Sequence, residues 1–181
     1  MRGPPAEGGR ARLVGQNARL ASLLLALSLI GFGPARAELA PAMRVSLVEP
    51  VSLAEATTIP PGAQVLAHVD LSEQKMELYV DDRLVDVFPV STGRMGYGTP
   101  PGDYHAEWIT AFWRSRKYHY APMPWSVFFH GGYAIHGTTE VWRLGQPASH
   151  GCIRLRPDNA KIFYTLVLKN GNENTTITVT R

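Results

Sequence analysis

The sequence is poor in cysteine, in charge and in helical periodicity, and each shortage excludes something. A single cysteine, Cys152, stands in 181 residues, so no internal disulfide can form. The thiol is left to be buried and inert, paired with another molecule, or used in chemistry. Charged side chains make up 18% of the chain against 45% apolar, which rules out a disordered polyelectrolyte and fits an ordinary globular composition. No apolar run reaches the roughly 20 residues needed to cross a bilayer. Glycine and proline, by contrast, are plentiful: 17 and 14, or 31 of 181 residues, against a usual share of roughly 12%. Turns are therefore many and long helices few, which predicts a mostly β domain with one or two helices.

The net charge of +3 is unevenly spread. Residues 1–37 hold Arg2, Arg10, Arg12, Arg19 and Arg36 against Glu7, giving +4 and leaving −1 for the other 144 residues. Within that segment, Leu20 to Phe32 (LASLLLALSLIGF) is apolar and is followed by Ala35-Arg36-Ala37. A basic start, a short apolar core and a small-x-small site predict a secretory signal peptide cut after Ala37, and hence an exported protein of the periplasm or cell wall with no membrane span once it is cut. An uncleaved anchor is the alternative. Without the basic segment the chain has no electrostatic footprint for nucleic acid. Residues 38–63, rich in Ala, Pro and Thr and without sustained periodicity, read as a flexible linker, so the folded domain is expected over 64–181.

In that domain Val65, Ala67 and Val69 alternate with Leu66, His68 and Asp70, and two apolar-alternating runs, 75–80 and 83–90, flank Asp81-Asp82 as in a β-hairpin. Further strands are expected over 103–109, 126–130, 133–136, 153–155 and 175–180. One helix is expected from Pro157, with Ala160, Phe163 and Val167 on one face and Gly171 as its stop. The stretch Ala111 to Trp125 (AFWRSRKYHYAPMPW) reads as a loop. Its aromatics can shelter a site and its cations can bind carboxylates, or the loop can simply cap the core.

Chemistry is concentrated where Ile135-His136-Gly137-Thr138 and Ser149-His150-Gly151-Cys152-Ile153-Arg154 bring two histidines to within 17 residues of the only thiol. A thiol attacks as thiolate and, with an ordinary pKa of about 8.5, needs a base or a cation beside it. A histidine can take the proton and later return it to a leaving amine. His136, at the end of an expected strand, is the better candidate for that base, and His150, two residues from Cys152 across a glycine, the weaker. Gly137 and Gly151 permit close main-chain approach to a substrate, and Arg154 can favour the thiolate, hold a carboxylate or form a rim ion pair.

The stretch IHGTTEVWRLGQPASHGCIRL resembles the signature of L,D-transpeptidases with the YkuD-type catalytic domain. Ser91-Thr92-Gly93, Thr99-Pro100-Pro101-Gly102, Met123-Pro124-Trp125 and Gly132-Tyr133-Ala134 resemble that domain in the same order. The resemblance implies a mixed β-sandwich and a cofactor-free cysteine acyltransferase acting on peptidoglycan stem peptides. By that analogy Cys152 forms a thioester with release of a D-amino acid, and an amine of another stem or of an envelope protein resolves it. It also implies that His136 is the base and that the Gly137 carbonyl orients its ring. Ser149, His150 and Gly151 would shape the pocket, main-chain N–H groups near Cys152 would hold the oxyanion, and Tyr133, Trp142 and Thr138 would meet substrate.

Other readings of the same residues stay open in the sequence. His136, His150 and Cys152 can supply three ligands for zinc, although no second cysteine or nearby carboxylate completes the set. Water in place of the amine would make a carboxypeptidase, the domain could cut a wall-to-protein amide, and a non-catalytic peptidoglycan-binding protein would use the aromatic stretch as its groove.

Overall fold

The computed structural model describes residues 52–181. The signal peptide expected over 1–37 and the first part of the expected linker lie outside the described residues. The chain forms α1 (Leu53–Thr58), β1 (Val65–Asp70), β2 (Lys75–Val80), β3 (Arg83–Pro89), β4 (Gly102–His105), β5 (Trp108–Ser115), β6 (Ala121–His130), β7 (Tyr133–Gly137), β8 (Ile153–Leu155), α2 (Pro157–Asn170) and β9 (Thr175–Thr180). The strands make a five-stranded sheet in the order β3-β2-β1-β9-β4 and a four-stranded sheet in the order β5-β6-β7-β8. Each sheet is mixed, because β1 and β9 run parallel, as do β7 and β8, while the remaining pairs are antiparallel.

The alternation read in the sequence sets which side of each strand is buried. Val65, Ala67 and Val69 of β1, Met76 and Leu78 of β2 and Ile177 and Val179 of β9 join Val127, Phe129, Ile135, Ile153 and Leu155 of the smaller sheet in one core. Ala160, Phe163, Leu166 and Val167 of α2 complete it, and Phe163 and Leu166 have no exposed surface. Pro157 starts α2, where its missing N–H costs nothing, and Gly171 ends it at φ 95° with its N–H on the Val167 carbonyl. At the β2–β3 hairpin Asp81 and Asp82 take φ 48° and 61°, the left-handed pair that a two-residue turn requires.

Three expectations are corrected. The strand expected over 103–109 is broken at Ala106-Glu107, where the chain leaves one sheet for the other: the Ala106 N–H bonds to Thr175 O and the Glu107 N–H to Phe128 O. The stretch 111–125 is no loop but most of the β5–β6 hairpin, closed by a 3₁₀ turn at Arg116–Tyr118. Pro122 and Pro124, which argue against a strand, sit in the half of β6 that pairs only with β5, because β7 reaches no further than Val127. There a missing N–H removes no second ladder.

The linker reading of 38–63 also fails at its end. Ser52 caps α1 through a reciprocal pair, the Glu55 N–H to Ser52 Oγ at 3.2 Å and the Ser52 N–H to Glu55 Oε2 at 2.7 Å. The helix packs on α2: Ala56 is fully buried, and Lys169 Nζ donates to the Thr57 carbonyl. A charge placed at position 56 would have to be buried or push α1 away. Ala56→Asp is therefore expected to lower the unfolding free energy by about 2 to 4 kcal/mol in denaturant titration; an unchanged midpoint would show that α1 is not part of the domain.

Candidate active site

The register of β7 against β8 builds the site. Ile135 pairs with Ile153, His136 with Arg154 and Gly137 with Leu155. Strand alternation then separates two sides: Ile135, Ile153 and Leu155 enter the core, whereas His136 and Arg154 share the opposite face, with Cys152 two residues before Arg154. That face opens into a cavity of about 700 Å³ lined by His136, Thr138, Ser149, His150, Cys152 and Arg154, and by Tyr133. The far wall is the β5–β6 hairpin, with Trp108, Trp113, Phe128, Arg116, Lys117 and Tyr118.

His136 is buried, and its Nδ1 lies 2.8 Å from the Gly137 carbonyl. A carbonyl only accepts, so Nδ1 carries the proton and Nε2 is left as a free base. Loss of solvation pushes this histidine down to about 4, with the Arg154 charge adding to the shift and the Gly137 bond opposing it. Cys152 is partly buried; its S–H faces the Gly132 carbonyl at 4.0 Å, and the main chain of Ala134 donates toward the sulfur. Desolvation pushes the thiol up despite the Ala134, Arg154 and Lys117 contributions. Both side chains line the same cavity, and burial favours the neutral form of each.

The turn before Cys152 is fixed by hydrogen bonds. Ser149 Oγ donates to the Cys152 carbonyl at 2.6 Å and accepts from the Gly151 N–H at 3.0 Å. That engages the Gly151 N–H within the turn and takes it out of the expected set of oxyanion donors. Gly151 has φ 116°, and a Cβ there would lie 2.6 Å from the Tyr133 ring, so both its backbone and its neighbour require glycine. Its carbonyl accepts from Thr99 Oγ1 at 2.7 Å, and Thr99 Oγ1 in turn accepts from the Gly93 N–H at 3.0 Å. Thr92, held by the buried Gln74 amide at 2.6 and 3.0 Å, accepts from the Ala148 and Ser149 N–H groups.

His150 is clamped between a guanidinium and two aromatic rings. Arg94 Nη2 donates to its Nε2 at 2.9 Å, its ring stacks on Tyr118 at 4.4 Å and Tyr97 meets it edge-on at 4.7 Å. Burial and the Arg94, Arg154 and Lys117 charges push it down, so it stays neutral. Arg154 takes the rim ion pair, with Nη1 2.9 Å from Glu140 Oε2. Thr138 lines the cavity and accepts from the Glu140 N–H at 3.1 Å. Trp142 does not join the site: it is 71% exposed and outside the cavity wall. No three His, Cys, Asp or Glu side chains converge as metal ligands among the described residues. Sequence reasoning missed Arg94, Gln74 and Glu140 as site-building residues, although the Ser-Thr-Gly motif lies next to Arg94, whereas Tyr118 stood among the aromatics expected to shelter a site.

The model of the YkuD family, the L,D-transpeptidase catalytic domain, matches residues 64–179. The chain belongs to that family. Among curated relatives, it is 26% identical over 125 residues to ErfK/SrfK of Escherichia coli K12, described as an L,D-transpeptidase, covering 53% of this chain and 39% of that protein. It is 30% identical over 96 residues to a Bacillus licheniformis YkuD protein described in the same way, covering 48% of this chain and 50% of that one. The chain thus spans half or less of the length of these relatives. An L,D-transpeptidase from Mycobacterium smegmatis shares the fold with a TM-score of 0.59 and 26% identity over 66% of this chain and 60% of that one. The L,D-transpeptidase LdtMt1, solved in complex with imipenem, has a TM-score of 0.58 at 21% identity over 65% and 59% of the two chains.

The buried neutral imidazole ties stability to acidity. Unfolded, His136 titrates near 6.5; folded, near 4. Between those values the unfolded chain binds more protons, so stability is full above about pH 6.5 and falls as pH drops toward 4. The contribution is about 3 kcal/mol. His136→Gln is expected to flatten that part of the pH dependence of the unfolding free energy, whatever its effect at neutral pH. Parallel curves for the two proteins would show that His136 titrates like a surface histidine.

Proposed function

We propose that this protein is an exported cysteine L,D-transpeptidase that acts on peptidoglycan stem peptides through an acyl-enzyme on Cys152. The observation that carries the reading is the His136 tautomer. With Nδ1–H held by the Gly137 carbonyl, Nε2 is the one ring nitrogen able to receive the thiol proton, and desolvation keeps it unprotonated at neutral pH.

In this reading the acyl donor enters the cavity with its scissile carbonyl against Cys152 Sγ. Proton transfer from sulfur to His136 accompanies attack, forming the C–S bond and a tetrahedral oxyanion, which falls to main-chain N–H groups of the turn other than that of Gly151. Collapse breaks the C–N bond; the imidazolium returns its proton to the departing amine, a D-amino acid, and a thioester remains. The acceptor amine then gives a proton to His136 as it attacks, and the thiol is restored. An amide is exchanged for an amide, so no nucleotide is consumed, in keeping with export by the segment expected over 1–37. The acceptor is a second stem, giving a 3→3 cross-link, or an amine of an envelope protein.

Incubation with a disaccharide tetrapeptide and mass spectrometry of protein and products tests this. Expected are an acyl adduct on Cys152 and a cross-linked dimer, with loss of both by at least about 10³-fold in Cys152→Ala. Imipenem, which accompanies LdtMt1 in its structure, is expected to add covalently to the same sulfur. A tripeptide as sole product would replace transfer by hydrolysis, and an unmodified thiol throughout would end the enzyme reading in favour of a binding protein.

A further inference from the structure

The cavity in front of Cys152 carries more positive charge than its own residues neutralise. Three cations line it, Arg116, Lys117 and Arg154, against one carboxylate, Glu140. Arg154 takes that carboxylate at 2.9 Å, and Arg143 approaches the same oxygen at 3.6 Å. Arg116 and Lys117 have no acidic partner among the described residues; the Lys117 ammonium lies 5.4 Å over the Tyr118 ring. His136 and His150 are neutral and add nothing to either side of this balance. Two uncompensated cations beside an apolar wall of Trp108, Trp113 and Phe128 make a strong positive potential in a space partly shielded from water.

These cations do not sit on a freely moving tip. They occupy the 3₁₀ turn Arg116–Tyr118, closed by the Tyr120 N–H on the Ser115 carbonyl at 2.9 Å. The next residue of that turn, Tyr118, stacks on His150, which Arg94 holds from the other side. The clamp thus joins the hairpin tip to the turn that carries Cys152. It sets Arg116 and Lys117 at a fixed remove from the nucleophile, close enough for the Lys117 charge to be felt at both Cys152 and His150.

We propose that Arg116 and Lys117 form a carboxylate subsite that binds the free C-terminal carboxylate of the acyl-donor peptide, so that an acidic donor is selected over its amidated counterpart. Arg116 offers a planar fork for two-point contact and Lys117 a point charge beside it. An amide of the same shape keeps hydrogen-bonding capacity and loses the charge, so the discrimination is electrostatic rather than steric. The term donor rests on the acyl-transfer reading above; the binding preference does not.

The test uses the full chain carrying Cys152→Ala, which cannot be acylated, and calorimetric titration with a stem tetrapeptide and with its C-terminal amide. The acid is expected to bind about tenfold more tightly at low salt. That preference should fall below about twofold in Arg116→Gln/Lys117→Gln and at high salt, and persist in Arg116→Lys/Lys117→Arg. Equal binding of acid and amide, an acid preference that survives the glutamine pair, or no binding of either peptide overturns the proposal. Circular dichroism of each variant separates misfolding from loss of the subsite. Acylation of Cys152 in the unaltered chain is read separately. An adduct without acid preference overturns the subsite and keeps the transferase; acid preference without an adduct does the reverse.

Discussion

The parallel ladder between β7 and β8 is what the rest of the site depends on. Its register puts Ile135 beside Ile153 in the core and His136 beside Arg154 on the other side, so the placement of a buried apolar pair and that of an imidazole and a guanidinium are one and the same constraint. A slip of one residue would turn the imidazole into the core and expose an isoleucine. The antiparallel bridge from Ser91 to Arg154, two hydrogen bonds of 3.0 and 2.9 Å, pins β8 from its other edge. The geometry of the site is a by-product of sheet registry, held by hydrophobic burial on the reverse face.

Burial works against charge at both His136 and Cys152. It pushes the imidazole down and the thiol up, so neither ionises at rest and the hydrogen bond from Nδ1 to Gly137 matters more than any ion pair. It fixes which nitrogen is free, and that is a geometric property unaffected by pH above the depressed histidine value. Arg154, which sequence reasoning could not assign among three roles, is drawn to Glu140 at the rim, and its positive charge acts on the pair from a distance. The cations at the hairpin tip are left as the groups available to an incoming anion.

Much of this was legible in the residues. The period-2 alternation at 65–70, 75–80 and 175–180 specifies strands and their buried sides, and Pro157 with Gly171 brackets the helix. The spacing of His136, Ser149, His150 and Cys152 points to thiol chemistry, and the ordered motifs from Ser91 to Arg154 point to the family. What escaped was non-local. A break at Ala106-Glu107 follows from the need to cross between sheets, which no local pattern encodes. The β5–β6 hairpin was hidden by two prolines harmless only because β7 is short. Ser52 and Glu55 did carry a capping-box signal, but a six-residue helix shows too little periodicity to stand out. Trp142, a position carried over by resemblance, has its ring turned into solvent and off the cavity wall. The neutrality of His136 and Cys152 depends on how much water the folded cavity excludes, and this is invisible in spacing.

The order β3-β2-β1-β9-β4 has a bearing on how the molecule comes into being. The final strand is not an edge but an inner member, hydrogen-bonded to β1 over six residue pairs on one side and to β4 on the other. Without residues 175–180, β1 and β4 lack the strand to which both are hydrogen-bonded. The larger sheet is therefore sealed last, by contacts about 110 residues apart in sequence, which favours slow and late closure.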